Sequence, residues 1–281
     1  KENRQTLLFS ATFTQDINMG CTPATVNFGI PDITGIAGWT WDFGDGSPVN
    51  TTDQNVTHIF TNATSSTILY RTVRLTVTSA SGCTDSKTSM MTVYPAVDAT
   101  FTASDDTVCS GSQLIFTGLP GANIYTWDYG DGLSGPGGSA VQHMYTNTTG
   151  LPVPLTVQLI TSSYYGCTDT MELDIVVMPM PVAQFSANPA TQNYLPAGNP
   201  VSFLDETTPV STLWTYTWDF GDGGNSTLQN PDYTFMGGIG TFDVTMTVTN
   251  GKCTSQVTHP VTILPPPPTA MFDTIPDGCA P

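Results

Sequence analysis

Paired aspartates are the residues in this chain whose type and spacing could support metal chemistry. Each pair places two carboxylates three positions apart; the pairs are Asp42 with Asp45, Asp128 with Asp131, and Asp219 with Asp222. Hard cations such as Ca²⁺ prefer oxygen ligands, so these aspartates are candidates for structural calcium. No D-x-D-x-D-G loop of the EF-hand type is present, and the alternative is that each pair only shapes a turn. We expect no cofactor to be required.

The sequence lacks the residues that common catalytic sites require. The chain has 3 histidines, and two of them, His58 and His143, lie at equivalent positions of a repeated pattern, whereas an active site should be singular. Its glutamates are Glu2, Glu172 and Glu206, too few to favour a paired-glutamate glycosidase site. No nucleophile elbow, phosphate-binding loop or H-E-x-x-H zinc motif occurs. We therefore expect a protein that is not an enzyme.

The charge balance excludes several partners. Only 6 of 281 residues are Lys or Arg, against 23 Asp and Glu, and the formal net charge is −17. Nucleic-acid binding needs basic side chains that displace counterions, and anionic membrane surfaces attract basic segments. No apolar run approaches the roughly 18 residues of a transmembrane helix. We expect no nucleic-acid partner and no membrane insertion in this segment.

Two sequence landmarks recur in the same order along the chain. They are W-D-[FY]-G-D-G at 41–46, 127–132 and 218–223, and A-x-F at 11–13, 99–101, 183–185 and 270–272. Such self-similarity is typical of a repeat architecture. With Pro-bearing linkers as boundaries, it predicts repeats over 1–95, 96–181 and 182–265 and the start of a fourth over 266–281. We expect the chain to be a slice of a longer array.

The segments between the landmarks favour β-strands. Alternating apolar residues, as in V-R-L-T-V at 73–77, indicate half-buried strands, and 26 glycines and 22 prolines punctuate them. Strands at this spacing are typical of an all-β sandwich. The motif tryptophan should be a core residue, and Trp39 should share its face of the sheet. Trp214 is the better candidate for an exposed aromatic ring.

The motif residues closely resemble the PKD domain. The resemblance is carried by W-D-[FY]-G-D-G, by the preceding V-x-F strand at 26–28, and by a later H-x-[FY] at 58–60 and 143–145. The third repeat departs from it, with P-D-Y-T-F at 231–235. The resemblance implies tandem immunoglobulin-like β-sandwiches in a head-to-tail array. The G-C-T-D variant looks like the arrays in giant surface proteins of bacteria with a type IX secretion system.

The resemblance also implies an extracellular or cell-surface role. We expect a non-catalytic segment of a large repeat protein that acts as a stalk, adhesin or filament subunit. Its partners would be neighbouring repeats, copies of itself in a fibre, or surface glycans and proteins. The alternative is an accessory protein- or carbohydrate-binding module of a secreted hydrolase or protease. Asp-Thr-apolar triplets at Thr107, Thr170 and Thr274 resemble the O-glycan acceptor pattern of the same bacteria.

Six cysteines at repeat landmarks predict disulfides in an extracellular protein. An intra-repeat scheme pairs Cys21–Cys83 and Cys109–Cys167, and it leaves Cys253 without a partner. Cys21 and Cys109 fall in the turn between the first two strands, the A–B turn, whereas Cys83 and Cys167 fall in the turn between the last two, the F–G turn. In an immunoglobulin-like sandwich, however, these two turns lie at opposite ends. A strand of eight to ten residues separates those ends by roughly 25–30 Å, whereas a disulfide tolerates a Cα separation of about 7 Å.

An inter-repeat scheme removes this conflict, because the A–B turn of one repeat faces the F–G turn of the next. It pairs Cys21–Cys167 and Cys109–Cys253. Cys83 would then bond to a preceding repeat and Cys279 to a following one. We favour this scheme, and the intra-repeat pairing stays open as the alternative.

Overall fold

The computed structural model describes residues 9–64, 66–194, 198–236 and 238–268. Every regular element in these segments is a β-strand, which confirms the all-β fold class. None of the described residues form a helix long and apolar enough to cross a membrane. The described residues pack as two compact units. One combines the residues up to 104 with 115–141 and 156–173, and the other combines 105–114, 142–155 and the residues from 174 onward.

The first repeat forms two sheets from seven strands. The strands are β1 (Thr14–Gln15), β2 (Met19–Cys21), β3 (Ala24–Gly29), β4 (Gly38–Asp42), β5 (Val56–Phe60), β6 (Leu69–Thr78) and β7 (Thr84–Tyr94). One sheet has the order β1-β3-β5 and the other β2-β7-β6-β4. β2 runs parallel to β7, whereas β4, β6 and β7 pair antiparallel. The chain therefore changes sheets between β1 and β2, as the first strand of a sandwich does.

The middle repeat contains eight strands. They are β8 (Phe101–Ala103), β9 (Thr107–Cys109), β10 (Gln113–Gly118), β11 (Ile124–Asp128), β12 (Ser134–Gly137), β13 (Ala140–Met144), β14 (Val153–Ser162) and β15 (Thr168–Met178). The sheet orders are β13-β10-β8 and β12-β11-β14-β15-β9. β9 again runs parallel to β15.

The third repeat also has eight strands. They are β16 (Phe185–Asn188), β17 (Thr191–Asn193), β18 (Val201–Asp205), β19 (Thr215–Asp219), β20 (Asn225–Ser226), β21 (Asp232–Tyr233), β22 (Gly240–Thr249) and β23 (Thr254–Leu264). Their orders are β16-β18-β21 and β17-β23-β22-β19-β20. The same strand plan therefore appears at all three landmarks, although the domain boundaries themselves stay a prediction.

The motif tryptophans are core residues, as predicted. Trp41, Trp127 and Trp218 are each 0% exposed. Each indole packs edge-on against the A-x-F phenylalanine of its own repeat, with ring centroids 5.3, 5.1 and 4.9 Å apart. Each indole N–H also donates to a backbone carbonyl ten to twelve residues further along the chain. Burial of the ring and satisfaction of its one polar atom together explain why tryptophan suits this position.

The two other tryptophans, Trp39 and Trp214, are both covered by the core of their own repeat. Trp39 is partly buried and packs against the first core cluster, as predicted from its place two residues before Trp41. The expectation of an exposed Trp214 was wrong, since this ring is 7% exposed and belongs to the core cluster of the third repeat. Its indole N–H donates to the Pro209 carbonyl at 2.9 Å. The loop before β19 folds back on itself, so the ring is covered although it precedes the strand.

Candidate functional site

The first aspartate of each motif caps the turn that follows it. One carboxylate oxygen accepts the backbone N–H two residues later, at 3.0 Å from Asp42 to Gly44, 2.9 Å from Asp128 to Gly130, and 2.9 Å from Asp219 to Gly221. The donating glycines all have positive φ, between 69° and 78°. This is the local turn that aspartate followed by glycine favours, and the chain forms it three times.

The second aspartate of the first motif joins the turn to the opposite sheet. Asp45 accepts from the Ser47 backbone amide at 3.0 Å and from its hydroxyl at 2.6 Å. Its other oxygen is 2.7 Å from His58 Nε2 on β5. The imidazole stacks on Phe43, with ring centroids 3.9 Å apart and planes 5° from parallel. His58 therefore acts as a structural clamp between the turn and strand β5.

In the third repeat a tyrosine takes over this clamp. Tyr233 stacks on Phe220 at 3.7 Å and 7°, and its hydroxyl donates to Asp222 at 2.8 Å. Asp222 also accepts the backbone N–H of Met236 at 3.2 Å. The departure from H-x-[FY] that the sequence shows at 231–235 thus preserves both interactions of the histidine, namely ring stacking and a hydrogen bond to the second aspartate.

These contacts bear on the calcium candidates. All six aspartates use carboxylate oxygens inside their own turns, including Asp131, which accepts from Leu133 N at 3.1 Å. Ca²⁺ usually takes six to eight oxygen ligands. In the part of the chain that the structure describes, no three acidic, histidine or cysteine side chains come together as a metal site. The geometry favours the turn-shaping interpretation, and calcium at these turns stays a prediction.

The Asp45–His58 clamp should make the first repeat sensitive to acid. Burial opposes ionisation of Asp45, but hydrogen bonds from Ser47 and His58 outweigh it and lower its pKa to about 2. An unfolded aspartate titrates near 3.9. Because the folded pKa is depressed, the stabilisation is complete above about pH 4 and is lost as the pH falls through 2. It amounts to about 2 kcal/mol of unfolding free energy.

Hydrogen exchange of the β4 and β6 amides measures this effect between pH 5 and 2. Asp45→Asn should be less stable than wild type at pH 5 and should lose less stability on acidification. Asp53→Asn, which changes an exposed carboxylate nearby, should follow the wild-type acid profile. Parallel profiles for wild type and Asp45→Asn would contradict the assignment.

The G-C-T-D aspartates anchor the start of the first two repeats, which the sequence did not reveal. Asp85 accepts the backbone N–H of Ala11 at 2.8 Å, and Asp169 accepts that of Ala99 at 2.8 Å. In the third repeat Ser255 Oγ accepts the N–H of Ala183 at 3.3 Å. The two partners are 70 to 74 residues apart, so the only sequence signal was that both positions are repeat landmarks.

Two buried asparagines hold the last strand in place. Asn62 and Asn147 are 4% and 6% exposed. The Asn62 amide donates to Val93 O at 3.0 Å, and the Asn147 amide donates to Val177 O at 2.8 Å. Buried amides normally have partners of this kind, and here they fasten β7 and β15 to the loop before β6 and β14.

Two disulfides join segments of the chain about 145 residues apart. Cys21 bonds to Cys167 with a Cα separation of 5.5 Å and a sequence separation of 146. Cys109 bonds to Cys253 at 5.8 Å with a sequence separation of 144. These are the pairs of the inter-repeat scheme, and the intra-repeat pairs are not formed. Cys83 is a free, exposed thiol, and Cys279 lies outside the described residues.

Further contacts accompany the disulfides. Tyr165, two residues before Cys167, stacks on Tyr94 with ring centroids 4.5 Å apart and planes 5° from parallel. Near the second bond, Lys252 Nζ lies 2.6 Å from Asp105 Oδ2, and the Asn250 amide donates to Pro179 O at 3.0 Å. Each bond is therefore part of a packed junction and not an isolated crosslink.

The glycan acceptor candidates lie in different environments. Thr170 is exposed on β15, whereas Thr107 is half-buried on β9 and its hydroxyl donates to Asp106 at 2.9 Å. Thr274 lies outside the described residues. Modification at these threonines stays a prediction.

Comparisons with known proteins place this geometry in a family. The family model described as PKD domain matches residues 8–93 and 180–264. No curated protein matches the chain. Among solved structures, the PKD1 domain of Vibrio anguillarum Epp is 26% identical with a TM-score of 0.24, over 31% of this chain and 96% of that one.

Two further solved structures align over most of the chain. The ICAM-5 D1–D4 ectodomain fragment is 10% identical with a TM-score of 0.42, over 90% of this chain and 76% of that one. A Ca²⁺-stabilised adhesin of an Antarctic bacterium that binds ice is 15% identical with a TM-score of 0.30, over 92% and 74%. The family assignment depends on the family model alone, whose two matched segments span more than half of the sequence. The chain belongs to the PKD domain family.

Proposed function

We propose that this chain is a non-catalytic stalk or fibre segment of a secreted or surface-displayed protein. The observation that carries the proposal is the pair of disulfides. Each bond links the A–B turn of one repeat, at Cys21 or Cys109, to the F–G turn of the next, at Cys167 or Cys253. A bond at that place restrains a linker between repeats, which a stalk under load requires. Disulfides form and persist in oxidising compartments outside the cytosol, which supports an extracellular location.

The charge and composition fit this role. A net charge of −17 with 6 basic residues makes neighbouring copies repel one another and keeps a dense array soluble. The G-C-T-D turns that carry Cys83 and Cys167 are the feature that links this chain to the surface arrays of bacteria with a type IX secretion system. We place the protein in that setting as part of the proposal.

The turn at Cys83 supports extension of the array by a further repeat that precedes the first one. Its turn has the same hydrogen bonds as the turn of the bonded Cys167. Ser79 N donates to Cys83 O at 2.8 Å, and Ser163 N donates to Cys167 O at 2.9 Å. In each turn the serine hydroxyl also accepts the cysteine N–H, at 3.1 and 3.2 Å. The Cys83 turn therefore already has the conformation that accepts an inter-repeat disulfide.

We expect Cys83 to be bonded in the native protein to the A–B cysteine of a preceding repeat. Non-reducing peptide mapping of protein taken from its producing cells or medium tests this. The Cys83 peptide should be linked to a cysteine that follows an A-x-F phenylalanine by about eight residues, the spacing of Cys21 and Cys109. Alkylation of Cys83 without prior reduction would contradict the extension of the array, and so would a bond to a cysteine at any other landmark.

A further inference from the structure

A cleft of about 210 Å³ opens in the third repeat, between the end of β18 and the segment that leads to β19. Its walls include two carboxylates, two aromatic rings, an amide and a threonine hydroxyl; these belong to Asp205, Glu206, Trp214, Tyr216, Gln229 and Thr207. The cleft is separate from the motif turns and from the disulfides, and no feature of the stalk proposal uses it.

A longer connection creates this cleft. In the middle repeat the corresponding connection is residues 119–123, and it closes over the ring of Tyr125, whose hydroxyl donates to Leu119 O at 3.0 Å. In the third repeat the connection spans 206–214. Trp214 packs beneath it, and its indole N–H bonds to Pro209 O, so the segment arches over Trp214 and leaves a space that Tyr216 and Gln229 also line. The cleft is the space that results.

The negative charge in the cleft has no cationic partner. The Asp205 carboxylate accepts from Thr207 N at 3.0 Å, Tyr216 OH at 2.7 Å and Gln229 Nε2 at 2.9 Å. All three donors are neutral, so they orient the carboxylate without cancelling its charge. Glu206 adds a second, exposed carboxylate, and none of the described residues that line the cleft is a lysine, arginine or histidine. An anionic ligand is therefore disfavoured and a cation is favoured.

The remaining wall atoms select an organic cation over a metal ion. Thr207 is 5% exposed. Its hydroxyl faces the Asp205 carboxylate and has no well-aligned hydrogen bond, so its oxygen keeps a lone pair for a ligand N–H. The rings of Trp214 and Tyr216 offer apolar surface and the cation–π attraction of an aromatic face. A bare metal ion would use neither the rings nor most of the volume.

We propose that this cleft binds an alkylammonium or guanidinium group, presented as the lysine or arginine side chain of a partner protein. The stem of that side chain packs against the two rings. Its terminal N–H groups meet Thr207 Oγ1 and the carboxylates of Asp205 and Glu206. This adds a binding site for a basic protein surface to a chain that is otherwise a spacer.

Selective ¹⁵N-tryptophan labelling of the full chain tests the proposal through the indole N–H signal of Trp214. The probe is N-acetyl-lysine methylamide, and its Nε-acetylated form is the uncharged control. The lysine compound should shift the Trp214 signal in a saturable way, and the acetylated compound should not. Glu206→Gln should weaken the Kd by about fivefold, because one exposed carboxylate is lost. Glu172→Gln, the same change on the middle repeat, should leave the Kd unchanged.

Three outcomes would overturn the proposal. Equal shifts with the acetylated compound would show that charge is not recognised. A larger shift with methyl glucoside would make the cleft a sugar site. Absence of any shift at about 100 mM ligand, where a site with a Kd of about 10 mM is nine-tenths filled, would show that the cleft holds only water.

Discussion

Replacing Gly44 by alanine is expected to cost the first repeat more than about 4 kcal/mol of unfolding free energy. Gly44 has a φ of +69°, and a Cβ built there lies closer than 3.0 Å to the Thr72 carbonyl oxygen. The obstacle is backbone of the neighbouring strand, so no side-chain rotation relieves it. Losses of this size come from a few mechanisms, and a forced backbone clash at a left-handed position combines two of them.

Gly46, two residues later in the same turn, is the matched control. It has a φ of +86°, and a Cβ there meets nothing within 4 Å. Gly46→Ala therefore carries only the left-handed penalty of about 1–2 kcal/mol. The difference between the two variants isolates the close approach of the turn to β6.

The equivalent glycines of the other two repeats should give stability losses of graded size. A Cβ on Gly130 lies 2.5 Å from Thr156 O, and one on Gly221 lies 2.9 Å from Asp243 O, whereas Gly132 and Gly223 are open. Gly130→Ala should resemble Gly44→Ala, and Gly221→Ala should be the mildest of the three. Hydrogen exchange of the strands flanking each turn measures the losses separately for each repeat. Equal losses at Gly44 and Gly46 would contradict the argument.

The sequence predicted the parts of this fold that recur with a simple period. Alternation within strands places one residue in two toward the core, so the motif tryptophan and its neighbour Trp39 were assigned correctly. Trp214 was not, because it lies in the connection before β19, where alternation does not apply. Its burial depends on how a nine-residue segment folds back, and that is a property of tertiary packing.

The site was less predictable because its contacts join distant residues. Asp45 and His58 were both recognised as repeat landmarks, but their pairing requires the turn after β4 to meet β5. The sequence gives even less indication that Tyr233 takes the place of His58. The two side chains differ in size and chemistry and have in common only a planar ring and a hydrogen-bonding group at its edge. The disulfides were the exception. Strand length in an immunoglobulin-like sandwich disfavours the intra-repeat pairs, and the head-to-tail order that the family resemblance implies favours the pairs observed.

The two disulfides also interleave, and this changes how far the chain can be stretched. Cys109 lies between Cys21 and Cys167, and Cys167 lies between Cys109 and Cys253. The shortest covalent route between the termini therefore crosses to Cys167, runs back to Cys109 and crosses again to Cys253. This route contains about 106 of the 280 peptide steps of the chain, which at about 3.4 Å per residue is roughly 370 Å including the two bonds.

Single-molecule stretching from the two termini should show a strongly non-additive effect of removing the bonds. In a Cys83→Ser, Cys279→Ser background the fully unfolded chain should extend to about 370 Å. Cys21→Ser or Cys109→Ser alone should lengthen it to only about 460 Å, because either remaining bond still bypasses about half of the chain. Both changes together should give about 950 Å, and so should wild type under a reducing agent. With the intra-repeat pairing, Cys21 would have no partner in this background and Cys109–Cys167 alone would give about 760 Å, so that length in the oxidised chain would overturn the interleaved arrangement.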